Sequence, residues 1–155
     1  MAVRGGNLET AHAAARVEAG AARRGHRAPG VVYCAATLVF STLSLRLLGF
    51  RVSYALARRW SRHRVPGPAM DWSMIRDAAR RISLAAAFFP GRALCLEQSL
   101  ALFTCLRRLG VAADLCLGVQ PFPFIAHAWV EVDGLPVLEN TDTLHGFVRV
   151  PMPGS

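Results

Sequence analysis

The sequence predicts an α+β domain in which helices come first and one helix followed by an antiparallel sheet comes last. Three patterns carry that reading. Apolar residues recur at helical spacing in three stretches before Gly110. From Val111 the pattern changes to alternation, with Val111, Ala113, Leu115, Leu117 and Val119 set against Ala112, Asp114, Cys116 and Gly118. Asp133-Gly134 then separates two apolar runs, as a hairpin turn does.

Taken in order, residues 1–30 are rich in Ala, Gly and Arg and poor in large apolar side chains. They are expected to be mostly disordered, with Glu9 to Arg24 a short helix at most. Residues 31–155 are expected to form a single domain with a helical part, 31–89, and a core, 90–150. From Val31 to Trp60 a long helical pattern appears. Its uncharged run stops at Arg46, short of the about 20 residues that cross a bilayer, and contains Thr37, Ser41, Thr42 and Ser44. This predicts a buried or partner-facing helix. Arg46, Arg51, Arg58, Arg59 and Arg62 would lie on its solvent or lipid-headgroup side, and Gly49 is a kink point. His63 to Pro68 is a loop by its prolines and glycine. Asp71 caps the next helix, whose stripe is Trp72, Ile75, Ala79, Ile82, Ala86 and Phe89, with Arg76, Asp77, Arg80 and Arg81 largely opposite. Pro90-Gly91 ends it. Cys95 opens a third helix, in which Leu96, Ser99, Leu100, Phe103, Leu106 and Leu109 follow helical spacing and Gly110 takes the C′ position. The tail offers one more short strand, Phe147 to Val150.

Chemistry concentrates at Cys95 and His127. A thiol in the first turn of a helix faces unpaired N–H groups and the positive end of the helix dipole, and both favour thiolate. His127 lies in the first arm of the hairpin. A three-residue loop, Val132-Asp133-Gly134, pairs Glu131 with Leu135 and puts Glu139 opposite His127. A two-residue loop at Asp133-Gly134 puts Asn140 there instead. Either register sets a polar acceptor beside the imidazole, and thiol, imidazole and acceptor are the parts of a cysteine nucleophile with its base and orienting group. Alone, a cysteine on an apolar helix or a histidine in an apolar strand is more often a core residue. Trp129, Phe122 and Phe124 are the residues expected to face substrate. Trp129 shares a strand face with His127 and either shields the imidazole or fills the core. Phe122 and Phe124, in the connector Gln120-Pro121-Phe122-Pro123-Phe124, either wall a cleft or form a rigid turn. Glu97 and Gln98 are expected to be solvated, with Glu97 capping N–H groups. His63 and His145 show no partner pattern.

The strings CLEQSLAL from Cys95, LRRLGVAA from Leu106, Gly118-Val119 and AHAWVEVDG from Ala126 together resemble the stand-alone leader peptidases of lasso-peptide biosynthesis. That family has a papain/transglutaminase-like core. The resemblance covers roughly residues 90–150 and weakens in the helices before them. It implies a cysteine peptidase with Cys95 as nucleophile, His127 as base and Glu139 as third member, where the family usually has Asp. Asp133 and Asp142 are the fallback residues, and Gln98 stands where the family often has a basic residue. The implied substrate is a precursor peptide, whose leader is cut away to free the core's N-terminal amine. A separate ATP-using lasso cyclase then joins that amine to an Asp or Glu side chain. A chain of this length is too short for a winged-helix leader-binding domain besides the core. Recognition is therefore expected from a separate small protein docking on the helix from Val31 to Trp60.

Composition bounds the alternatives. The 155-residue chain has a formal net charge of +8, and all its basic residues are Arg. This balance favours acidic peptides, phosphates, nucleic acid or an anionic membrane. With no zinc-finger spacing and no RNP-like string, nucleic acid is not expected as a partner. The cysteines, Cys34, Cys95, Cys105 and Cys116, form no CxxC and no metal-ligand spacing, so neither metal nor cofactor is implied. Cys105 and Cys116 read as small core residues. Free thiols and a start unlike a signal peptide point to the cytoplasm. Two other classes stay open: acyl transfer on the same triad, as in a transglutaminase or arylamine acetyltransferase, and a non-catalytic module making a peripheral membrane contact through the first helix and its arginines.

Overall fold

The computed structural model describes residues 29–61, 71–89, 94–139 and 141–152. The expectations for residues 1–28, for Arg62 and the loop containing His63, for Pro90-Gly91 and for Asn140 fall outside them. The elements are α1 (Val31–Ser61), α2 (Trp72–Ala87), α3 (Cys95–Arg108), β1 (Ala113–Gln120), β2 (Ile125–Val132), β3 (Leu135–Pro136), α4 (Thr141–Leu144) and β4 (Val148–Arg149). The sheet order is β3-β2-β1-β4 and every pairing is antiparallel. Helices followed by this sheet make the predicted α+β class.

α3 is the axis of the molecule. Residues 99–106 are all buried, as expected of a helix covered on every side. α1 and α2 pack on one flank, and the sheet packs on the other through Ala113, Leu115, Val130 and Val132. α3 closes as its sequence predicts: Gly110 takes φ +85°, and its N–H and that of Leu109 cap the last turn. α2 opens on Asp71, whose carboxylate accepts from the Ser73 amide at 2.8 Å. That bond and one from the Ser73 hydroxyl hold the Asp71 carboxyl below its ordinary range.

α1 departs from a simple helix. Gly49 has φ +74° and ψ 173°, which only glycine adopts readily, and the chain folds back there. Phe40 and Trp60, about 30 Å apart along a straight helix, meet with ring centroids 5.2 Å apart. By length and apolar content alone α1 could cross a membrane, but the fold-back splits it into arms 31–48 and 50–61. The burial pattern is also inverted. Thr37, Ser41, Thr42, Ser44 and Ser53 are buried, whereas Val32, Phe40, Leu43, Leu47 and Val52 are exposed. Small hydroxyl side chains let α1 lie close to α3. Thr37, Ser44 and Ser53 satisfy themselves on backbone carbonyls of α1 at 2.8, 3.0 and 2.8 Å, so their burial costs little.

Nothing lies within 4 Å of a Cβ built at Gly49, so a substitution there meets a conformational penalty and no clash. Gly49→Ala is expected to destabilise the protein by about 1–3 kcal/mol, measured by urea unfolding.

Candidate functional site

The hairpin between β2 and β3 turns in two residues, not three. Asp133 and Gly134 both have positive φ, +49° and +75°, and Val132 pairs with Leu135. This is the type I′ geometry for which Asp-Gly is suited. The three-residue loop is therefore corrected, and the two-residue alternative holds. β3 is two residues long, and the ladder makes one further bond, from the Val137 amide to the Val130 carbonyl at 2.9 Å. Leu138 then takes φ +68°, a left-handed conformation uncommon for a side chain of its size, and the chain leaves the sheet. Straight continuation would have brought Asn140 opposite His127. The bend instead brings in Glu139, whose Oε1 lies 3.3 Å from His127 Nε2.

The same bend uncovers an edge of β2. Alternate residues of an antiparallel strand aim both backbone groups at the same neighbour. The Ala128 carbonyl, two residues from Val130, therefore points to where β3 is no longer present. Ser99 fills the vacancy: its hydroxyl donates to the Ala128 carbonyl at 2.8 Å. This ties the second turn of α3 to β2 beside His127. Cys95 lies four residues before Ser99, one turn nearer the helix start on the same side, and its thiol is half-buried. Gln98, Ser99, Leu138 and Glu139 line one cleft with Ile82 and Leu102; its lining stops short of Cys95 and His127.

α3 starts without a side-chain cap. The N-cap is Leu94, extended at φ −74° and ψ 169°, and the first intrahelical bond runs from the Gln98 amide to its carbonyl. The amides of Cys95 and the two residues after it are thus outside the helical ladder. Among the described residues the Cys95 thiol makes no hydrogen bond to His127.

His127, Trp129 and Glu131 point to the sheet face away from α3, beside Gly118, Cys116 and Asp114. Trp129 is buried, but not in the helical core: its ring stacks on His127, with centroids 6.1 Å apart and planes 17° apart. Phe147 closes on both rings at 5.7 and 6.4 Å. A Cβ at Gly118 would sit 2.9 Å from the Trp129 ring. Phe122 and Phe124 are almost fully exposed at the β1–β2 turn, on the end of the sheet nearest His127. Asp133 lies at the opposite end of β2 from His127. Asp142 is exposed on α4. Glu97, expected in solvent, is buried, because α3 is covered even in its first turn; its Oε2 has no partner among the described residues. No cluster of His, Cys, Asp or Glu able to hold a metal occurs among the described residues.

The model of the transglutaminase-like superfamily matches residues 36–152, most of the chain. The chain belongs to this superfamily. Its members generally work as enzymes through a cysteine, and a helix packed on a curled antiparallel sheet is consistent with their papain-like core. No match was found among curated proteins or among solved structures.

Sequence reasoning did not find Ser99 as the tie between α3 and β2. It read Ser99 only as a small residue in a helical pattern. Ser99→Ala leaves the buried Ala128 carbonyl unpaired and is expected to cost about 1–3 kcal/mol in thermal or chemical unfolding.

Proposed function

We propose that this protein is a cysteine peptidase that cuts the leader from a lasso-peptide precursor. The observation that carries the reading is the Glu139 carboxyl at 3.3 Å from His127 Nε2, beside the helix that opens on Cys95. Glu139 engages Nε2, so Nδ1 is the nitrogen available to take the Cys95 proton. The thiolate then attacks the scissile carbonyl. The uncapped amides at the start of α3, that of Cys95 among them, receive the developing oxyanion. As the tetrahedral intermediate collapses, the C–N bond breaks and His127 returns its proton to the departing amine. The N-terminal fragment remains as a thioester on Cys95. Water, deprotonated by His127, hydrolyses the thioester and frees the thiol. Glu139 orients the imidazole more than it binds it, because both side chains are partly open to solvent and such a pair is worth about 0–1 kcal/mol. Phe122 and Phe124 offer an apolar surface for the peptide. Amine in place of water at the last step would give acyl transfer, which superfamily membership equally supports.

The test is mass spectrometry of precursor peptide with its recognition protein. Cys95→Ala is expected to abolish cutting, and His127→Ala to slow it by about 10²–10⁴-fold. Glu139→Ala should slow it less. Cutting by the Cys95 variant would end the mechanism, and full activity of Glu139→Ala would move the third role to Asp142. Product that depends on an added amine would select acyl transfer.

Leader recognition is assigned to a separate protein docking on the outer face of α1. That face shows Phe40, Leu43, Leu47 and Val52 with Arg46, Arg51 and Arg59, and α1 contains no acidic residue. The complementary partner surface is apolar and rimmed by carboxylates. The double variant Leu43→Asp, Leu47→Asp is expected to stay folded and to lose recognition-protein binding at least about tenfold by calorimetry, through loss of apolar contact at the interface core. Unchanged affinity would remove α1 from the interface.

A further inference from the structure

We propose that Glu131 and Arg149 are positioning residues for His127, acting through the indole of Trp129. The inference rests on the peptidase reading of the site. Glu131 is a carboxylate with 6% of its surface exposed, on the sheet face away from the helical core. Burying an ionised carboxyl is unfavourable unless donors surround it. Here two donors converge on one oxygen. The Trp129 indole N–H donates to Glu131 Oε1 at 2.8 Å, and the Arg149 guanidinium donates to the same atom at 2.5 Å. Arg149 reaches across from β4, where it pairs with Gly118, and also lies over the Trp129 ring at 5.8 Å from its centroid. The bond to Glu131 raises the Arg149 pKa further above its ordinary value.

The clamp fixes the plane of the indole. One edge is held by Glu131. The six-membered ring rests on Gly118, where any side chain would collide with it. The stacked imidazole inherits that plane. Glu139 constrains only Nε2, and rotation about a single hydrogen bond would still swing Nδ1. The parallel indole on one face and Phe147, packed against both rings at their margin, restrict that freedom. The chain of contacts runs from Arg149 through Glu131 and Trp129 to His127, and leaves Nδ1 aimed in one direction.

The test reads Cys95 directly and does not need the natural substrate. Iodoacetamide alkylation is followed against pH by peptide mass spectrometry on the full-length protein. Cys34, Cys105 and Cys116 are buried; burial pushes the Cys116 thiol up to about 11, whereas the bond with Cys105 lowers Cys34, so the Cys95 peptide is read separately from that of Cys34. The charged or titratable groups around the clamp are Asp114 and Cys116 on β1, Arg149 on β4 and Glu139 beside the imidazole. His127→Ala sets the profile of a thiol without its base. Glu131→Leu, checked as folded by circular dichroism, is expected to move the profile at least half-way from wild type towards His127→Ala. Glu131→Gln keeps an oxygen for the indole and is expected to restore most of the wild-type profile. Arg149→Gln should give an intermediate shift. A folded Glu131→Leu protein with the wild-type profile would overturn the proposal. Should Glu131→Leu not fold, the decision passes to Arg149→Gln, whose wild-type profile would overturn it equally. If His127→Ala itself leaves the profile unchanged, the peptidase reading fails first and this inference falls with it.

Discussion

One carbonyl organises the site. When β3 leaves the sheet at Leu138, the Ala128 carbonyl of β2 loses the partner that the ladder would have supplied, and Ser99 takes its place at 2.8 Å. A buried backbone acceptor cannot stay unpaired without a penalty comparable to a lost hydrogen bond. The premature end of β3 and the docking of α3 on β2 are therefore one event. It sets the thiol-bearing helix against the strand that carries the histidine. It also frees Glu139 from the ladder to turn back on the imidazole. A strand continued in register to residue 141 would have covered that edge and kept α3 away from it.

The two faces of the sheet divide the work. One face is apolar and holds the helices through Ala113, Leu115, Val130 and Val132. The other carries a polar and aromatic cluster, with Trp129 between His127 and the Glu131–Arg149 pair. That cluster has no counterpart on the helical side, where the sheet contributes aliphatic side chains alone. The left-handed Leu138 fits the same division. Such a conformation costs on the order of 1 kcal/mol, and strained residues of this kind gather where a chain is bent for a purpose.

α1 shows how far apolar content can mislead about burial. Several of its large apolar residues face outwards although Leu38 and Tyr54 pack in the core, and its small hydroxyl residues are buried. Close packing against a central helix favours small side chains, and hydroxyls satisfied by backbone carbonyls can be small and buried together. Val32, Phe40, Leu43, Leu47 and Val52 are left on the outside.

Much was legible in the residues alone. Helical spacing, the Asp71 cap, Gly110 at the end of α3, the alternation in β1 and the Asp-Gly turn are local patterns, and local physics decides them. The contact between His127 and Glu139 was also anticipated, but from the register that the structure replaces. Both loop lengths are allowed by the same Asp-Gly pair, and the structure takes the two-residue one. The burial of Glu97, the inverted faces of α1, the fold-back at Gly49 that joins Phe40 to Trp60, and the Ser99 tie all depend on which element lies next to which. The sequence by itself determined the elements and the chemical groups they carry. Tertiary structure alone decided which groups meet, because a hydrogen bond between residues far apart in the chain has no periodicity to betray it.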